Sequence, residues 1–165
     1  MGGIIKEKDS RHIFVETLNK LAETDPNIIV IICDVGFNYL DDPNNKFKIL
    51  NLGVTEQSAT MIAVGLALSG HFKVYIYSMI PFVLFRPAEM VRNGVVKHNA
   101  NVRLIGVKGS EKYKFLGFSH NVLHGKEDTN FCDNIGLAWH TPQTEEVKQV
   151  IEDTYKSNKS CYIRL

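Results

Sequence analysis

One acidic residue in this sequence stands where a carboxyl group could do chemistry. Glu56 follows a short strand-like run and lies in the first turn of the segment 55–70, whose small and apolar residues suit a buried helix. The dipole of a helix favours an ionised carboxylate in its first turn, whereas burial favours the protonated form. The alternative is that Thr55 and Glu56 only cap the helix. The apolar helix behind Glu56 argues against that alternative, so Glu56 is a candidate functional acid.

A second segment carries aromatic and charged side chains. Phe82 and Phe85 stand three residues apart where the chain enters a helix, and core packing explains either ring alone equally well. Arg86 and Glu89 follow, and the two could form a surface ion pair of little energetic weight. The segment is therefore a candidate site only in combination with other residues.

Two histidines fall in the glycine-punctuated stretch from 108 to about 134. His120 and His124 lie four residues apart, and a pair of exposed loop histidines is the plain alternative. A metal site is not expected here, because no third ligand lies at a convincing spacing.

The elements that must position these residues follow an α/β pattern. Short apolar runs alternate with helical segments, which predicts a mainly parallel sheet with helices on both faces. Strands are predicted at 28–33, 47–52, 72–78, 102–107, 135–140 and 161–165. Helices are predicted after Asp9-Ser10, at 55–70, around Pro87, and at 141–156 with Thr141 as cap. Ligands of such sheets meet the carboxyl ends of the strands. Asp34 follows the first strand at that edge, although a turn residue is an equal interpretation.

Length, charge and cysteine content narrow the function classes. The chain has 165 residues, which predicts a single domain over 1–165. Its 19 basic and 18 acidic side chains give a net charge of +1, which argues against a nucleic-acid or acidic-membrane binder. Its three cysteines form no CxxC pair, and no secretory signal or membrane-spanning run is visible. A cytoplasmic chain is therefore expected.

The motifs, taken in order, resemble those of transketolase-type thiamine-diphosphate enzymes. This family contains transketolases, deoxyxylulose-phosphate synthases and the β chains of 2-oxo-acid dehydrogenases. The run GVTEQ, with its helix ending in GLALSG, is similar to the family's G-[IV]-x-E-Q and G-L-A-x-x-G, and PFVLFRPAEMVRN resembles F-x-x-F-x-x-R-A-x-[DE]-Q-x-R. GFSHN resembles G-x-[ST]-H-Q, and CYIRL resembles the strand that closes the pyrimidine-binding domain. The similarity covers about residues 10–165.

The resemblance implies roles toward the cofactor thiamine diphosphate. In the family, the glutamate at the position of Glu56 hydrogen-bonds the pyrimidine ring nitrogen and so promotes proton loss from the thiazolium carbon. Phe82 would lie against the face of the aminopyrimidine. The other positions that the resemblance assigns to the cofactor pocket are Asp34, Met79, Phe85 and Arg86.

The substrate side departs from the family pattern. The resemblance makes His120 the residue that polarises or protonates a substrate carbonyl, with His124 near the position of an expected glutamate. Related transketolases carry an acidic residue where this chain has Leu116, and a histidine where it has Lys108 or Gly109. The expected reaction is ketol transfer on a small-molecule sugar or sugar phosphate. Because of these departures, the substrate specificity of transketolases is not expected of this chain.

The resemblance also implies a divided enzyme. The sequence contains no G-D-G … N diphosphate motif, so Mg²⁺ or Ca²⁺ is expected to be held by a separate diphosphate-binding transketolase-like subunit. A heterotetramer is expected, with self-association across the dimer core and no nucleic-acid or membrane partner. The alternatives are a 2-oxo-acid decarboxylase or dehydrogenase subunit and a non-catalytic regulatory partner with the same fold. A nucleotide-binding flavodoxin-like module is disfavoured, because no G-x-G-x-x-G or P-loop follows the first strand.

Overall fold

Six parallel strands form one sheet in the computed structural model, which describes residues 9–37, 39–108, 115–122 and 125–165. The strands are β1 (Ile28–Ile32), β2 (Lys48–Asn51), β3 (Lys73–Met79), β4 (Val102–Val107), β5 (Ala138–His140) and β6 (Cys161–Arg164). Their spatial order is β2-β1-β3-β4-β6-β5, and every neighbouring pair is parallel. This confirms the predicted mainly parallel sheet.

Helices cover both faces of the sheet. They are α1 (Ser10–Ala22), α2 (Glu56–Leu68), α3 (Ala88–Met90), α4 (Glu127–Ile135) and α5 (Val147–Lys156), with π-helical turns at Pro81–Phe85 and Val91–Lys97 and 3₁₀ turns at Phe118–His120 and Thr144–Glu146. α1 and α5 pack on one face, whereas α2, α4 and the segment around α3 pack on the other. No helix in the described ranges is both long enough and apolar enough to cross a membrane.

Burial along the strands follows their place in the sheet. Every residue of β1 and β4 is buried, because helices cover both sides of the central strands. The edge strands β2 and β5 are largely exposed. The continuous apolar run that predicted β1, and the largely apolar run that predicted β4, therefore lie in the strands that are buried on both faces.

Several predicted element boundaries are wrong. The stretch 108–134 is not all loop, because α4 begins at Glu127 and ends before Gly136, which adopts a left-handed conformation with φ 74°. The last helical segment is capped by Gln143 and Glu146, which form a capping box, and not by Thr141. The single helix expected around Pro87 is interrupted by two π-helical turns. The helix α2 is apolar as predicted but leaves one side exposed.

An arginine in β4 completes the end of α5. Arg103 is fully buried, and its guanidinium donates to the backbone carbonyl of Thr154 at 2.7 and 3.0 Å and to that of Ser157 at 2.7 Å. The last carbonyls of a helix lack partners within the helix and carry the negative end of its dipole. Arg103 therefore satisfies both the hydrogen-bonding and the electrostatic needs of this helix end.

Candidate functional site

The first turn of α2 presents a buried acid at the carboxyl edge of the sheet. The Glu56 side chain is only 4% exposed, and its Oε1 accepts a hydrogen bond from Nη1 of Arg86 at 2.5 Å. The Thr55 hydroxyl donates to the carbonyl of Leu52 at 2.9 Å and makes no cap hydrogen bond to α2. Glu56 is thus oriented by an ion pair with a residue thirty positions away along the chain.

A π-helical turn after β3 carries the residues that face Glu56. The amide of Arg86 donates to the carbonyl of Pro81 at 2.9 Å, which closes the wide turn. This turn places the Arg86 guanidinium over the ring of Phe82, with its central carbon 3.8 Å from the ring centroid. Gln57 Nε2 donates to the carbonyl of Arg86 at 3.3 Å and ties the turn to the start of α2. Arg86 therefore pairs with Glu56, whereas the sequence offered Glu89 as its partner.

A histidine completes this group from the loop that follows β4. The His120 ring meets the Phe82 ring edge to face, with 4.8 Å between centroids. His120 Nδ1 lies 2.9 Å from the hydroxyl of Ser119. Glu56, Arg86, Phe82 and His120 thus form a continuous line of contacts, termed here the Glu56 cluster.

The remaining residues predicted for the site lie elsewhere or outside the description. Phe85 packs against Phe131 of α4 in an edge-to-face contact, with ring centroids 5.8 Å apart. Asp34, with a φ of 55°, and Met79 line a neighbouring cavity of about 210 Å³ together with Arg11. His124 lies outside the described residues.

His120 also lines a cavity of about 240 Å³. Lys108, Asn121 and Arg164 are among the side chains that line it. Arg164 is held by Asp128, which is fully buried and accepts from Arg164 Nε at 2.8 Å and Nη2 at 2.5 Å. The hydroxyl of Tyr162 donates to the same carboxylate at 2.6 Å. Hydrogen-bond donors therefore dominate the polar lining of this cavity.

Sequence reasoning missed the structural role of Asp128. Burial opposes ionisation of its carboxyl, but the hydrogen bonds from Arg164 and Tyr162 outweigh burial and hold its pKa below the usual range. The available signal was an acid near the start of a helix and a Tyr-x-Arg pattern on the last strand. Asp128 of α4 is thus joined to Tyr162 and Arg164 of β6, and Arg164 lines the same cavity as His120.

The start of α1 holds a second ion pair that sequence reasoning did not single out. Asp9 caps α1 and accepts from Arg11 Nη2 at 2.6 Å and from the hydroxyl of Tyr39 at 3.0 Å. Burial opposes this charge, but the hydrogen bonds from Arg11, His12 and Tyr39 lower the pKa of Asp9. Elsewhere, the described residues contain no group of three or more His, Cys, Asp or Glu side chains able to hold a metal ion.

The fold and the Glu56 cluster together define a class of protein. It is a parallel α/β domain that presents a buried acid beside an aromatic face at the carboxyl edge of its sheet, where such folds bind ligands. The chain belongs to the family described as transketolase, pyrimidine binding domain, whose sequence model matches residues 6–165. The resemblance inferred from the ordered motifs is therefore confirmed.

Individual relatives agree with this family. The chain is 33% identical over 117 residues to one of the subunits of apulose-4-phosphate transketolase from Phocaeicola vulgatus, an alignment that covers 69% of this chain and 37% of the relative. Among solved structures, it matches a split-gene transketolase, described as an inactive beta4 tetramer, with a TM-score of 0.76 and 20% identity over 95% of this chain and 51% of that one. A transketolase mutant from Pichia stipitis matches with a TM-score of 0.80 and 16% identity over 99% of this chain and 26% of that chain. The two structural matches show the shared fold, and this chain spans little more than a third of the curated relative.

Proposed function

We propose that this chain is the pyrimidine-binding subunit of a split transketolase-like enzyme that uses thiamine diphosphate. The observation that carries the proposal is the buried Glu56 carboxyl in the first turn of α2, which the Arg86 guanidinium joins to the face of Phe82. A carboxyl oxygen suits the ring nitrogen of an aminopyrimidine, and a phenyl ring suits its flat face. The residues present therefore fit the pyrimidine half of the cofactor.

Three residues of the Glu56 cluster have proposed tasks. Bound thiamine diphosphate supplies a nucleophilic carbon and an electron sink for chemistry at a carbonyl group. Glu56 hydrogen-bonds the pyrimidine ring nitrogen and shares a proton with it. Phe82 stacks on the pyrimidine ring and excludes water from it. His120 donates a hydrogen bond or a proton to the carbonyl oxygen of the substrate. The proposed reaction is ketol transfer between sugars or sugar phosphates, in line with the transketolase name of the Phocaeicola vulgatus relative.

A partner chain is proposed to hold the diphosphate and its Mg²⁺ or Ca²⁺. The relative from Phocaeicola vulgatus is named as a subunit of its transketolase, and one structural match is a split-gene transketolase. The outward side of α2 exposes Met61, Ile62 and Leu68, and Val54 just before α2 is 67% exposed. Apolar side chains in such a row are typical of a surface that another chain covers. This surface, on the same helix as Glu56, is therefore the proposed contact with the partner chain or with a second copy in a cytoplasmic heterotetramer.

The test is reconstitution with a separately expressed diphosphate-binding chain. The mixture receives thiamine diphosphate, Mg²⁺ and a panel of ketose donors with an aldose acceptor, and transfer is measured for wild type, Glu56→Gln and Glu89→Gln. Loss of a positioned acid typically costs about 10²–10⁴-fold in rate, so Glu56→Gln should lose at least about 100-fold. Glu89 is an exposed residue of α3 and supplies the matched control, which should keep wild-type turnover. Equal turnover in both variants would refute the role of Glu56.

His120 is tested separately, because its proposed task concerns the substrate and not the cofactor. His120→Asn should lower the transfer rate while leaving the dissociation constant of thiamine diphosphate unchanged. The exposed His71, in the turn before β3, provides the control variant His71→Asn. A loss of cofactor affinity in His120→Asn without a change in rate would contradict the assigned task.

A further inference from the structure

We propose that Arg86 is an internal occupant of the pyrimidine site, and that cofactor loading requires its side chain to swing out. The inference rests on the proposed function, since it takes Glu56 and Phe82 as the groups that receive the aminopyrimidine. Membership in the family does not by itself imply this competition between a side chain of the chain and the cofactor.

The contacts of the guanidinium reproduce those that a bound aminopyrimidine would need. Nη1 of Arg86 donates to Glu56 Oε1 at 2.5 Å, and the guanidinium carbon lies 3.8 Å from the centroid of Phe82. A guanidinium is flat, delocalised and rich in hydrogen-bond donors, so it can stack on a ring while it pairs with a carboxylate. An aminopyrimidine that bonds the same carboxyl and stacks on the same ring face needs the volume that Arg86 fills.

The structure allows the side chain to leave without refolding of its turn. The backbone of Arg86 is fixed by the hydrogen bond from its amide to Pro81 and by the one from Gln57 to its carbonyl. Its side chain is 40% exposed, so rotation about side-chain bonds can carry the guanidinium into solvent. The buried Glu56 carboxyl cannot follow, because it is 4% exposed and lies in the first turn of α2.

The consequence is that the isolated chain protects its own buried acid. An unpaired charge in a buried position is costly, and Arg86 removes that cost until a ligand replaces it. A cofactor must therefore displace a partly exposed ion pair and a cation–π contact before it binds. We expect this competition to weaken binding by about tenfold, within the range of such contacts.

The experiment measures thiamine binding to the full chain by isothermal titration calorimetry. Thiamine is the probe because it carries the aminopyrimidine and lacks the diphosphate that the partner is proposed to hold. Arg86→Ala should bind thiamine about tenfold more tightly than wild type, and Arg86→Gln, which can still hydrogen-bond Glu56, several-fold more tightly. Arg92→Ala, which alters an exposed arginine in the next π-helical turn, should match wild type. Circular dichroism identifies any variant that does not fold, and Arg86→Gln then replaces Arg86→Ala.

A competition measurement gives an independent readout. Free guanidinium chloride at about 0.2 M should fill the vacated position in Arg86→Ala and weaken thiamine binding there, because contacts worth a tenfold change imply a dissociation constant of about 0.1 M. It should have no such effect on wild type, and sodium chloride at the same concentration should have none on either protein. Loss of this selectivity would contradict the proposed occupancy.

The outcomes separate this inference from the function on which it rests. If Glu56→Gln abolishes thiamine binding while Arg86→Ala binds as wild type or more weakly, Arg86 is no competitor and the inference fails alone. If Glu56→Gln binds thiamine as well as wild type does, the pyrimidine site has been placed wrongly and both proposals fail. Tighter binding by Arg86→Ala that still requires Glu56 supports both.

Discussion

The ion pair between Asp128 and Arg164 provides a sharp quantitative test of how α4 is held to the sheet. Asp128 is fully buried, and three hydrogen bonds reach its carboxylate, two from Arg164 and one from Tyr162. Asp128→Asn keeps the shape of the side chain but places an amide donor opposite a guanidinium donor. Removing one partner of a buried ion pair costs about 3–5 kcal/mol, and we expect about 3 because Asn retains one acceptor oxygen.

Thermal unfolding measures this cost directly. For a domain of this size, each kcal/mol lowers Tm by about 2–4 °C, so Asp128→Asn should lose roughly 6–12 °C. Asp41→Asn, at an exposed position in the loop before β2, is the matched control and should shift Tm by no more than about 2 °C. Equal Tm values for the two variants would show that the buried carboxylate contributes nothing.

The same variant predicts a pH dependence. The pKa of Asp128 in the folded chain lies below that of an unfolded aspartate, near 3.9. The stability that its charge contributes is therefore fully present above about pH 4, and it is lost as the pH falls through the folded pKa. The gap in Tm between wild type and Asp128→Asn should be constant from about pH 6 to 8 and should narrow below about pH 4. A gap that widens in acid would refute the reasoning.

Three further variants or reagents test other parts of the fold. Arg103→Met should lower the free energy of unfolding by about 3 kcal/mol, because the carbonyls at the end of α5 lose their buried donor; an unchanged urea midpoint would contradict this. Burial raises the pKa of Cys132 to about 12, so a thiol reagent at pH 8 should label it only as the chain unfolds, and rapid labelling of the native chain would contradict this. Gly106→Ala places a methyl group 2.6 Å from the Tyr162 ring and should lower the free energy of unfolding by about 1–3 kcal/mol. The control Gly125→Ala has open space at that position and should change the free energy of unfolding little. Equal losses in the two variants would contradict this.

Most of the sheet could be predicted from the sequence, because its central strands obey a simple rule. A strand that is buried on both faces is mostly apolar, and the run that formed β1 is apolar at every position, whereas the run that formed β4 is apolar except for Arg103. Without a hairpin turn between runs, parallel pairing through helical crossovers was the remaining solution. Edge strands were harder to delimit, because β2 and β5 are largely exposed and carry mixed side chains.

The elements that sequence reasoning missed depend on contacts between distant residues. α4 has few apolar residues, and its buried Asp128 accepts side-chain hydrogen bonds from Arg164 and Tyr162 of β6. Arg103 lies inside a strand whose other positions are apolar, and its burial is explained mainly by the carbonyls at the end of α5, which the local sequence of β4 does not show. The ion pair between Glu56 and Arg86 joins two motifs that the sequence shows separately, and local patterns give no register between them.

The residues proposed to contact the cofactor and the residue proposed to contact the substrate are carried by different kinds of structural element. Glu56 and Phe82 are carried by α2 and a π-helical turn, both packed against the sheet. His120 is carried by a short 3₁₀ turn and reaches the cluster through its ring contact with Phe82. The sequence departs from the family pattern at Leu116 and Lys108, on the side of His120, and keeps it at Glu56. Under the proposed function, changes in that loop can therefore alter the choice of substrate while the acid that serves the cofactor stays in place.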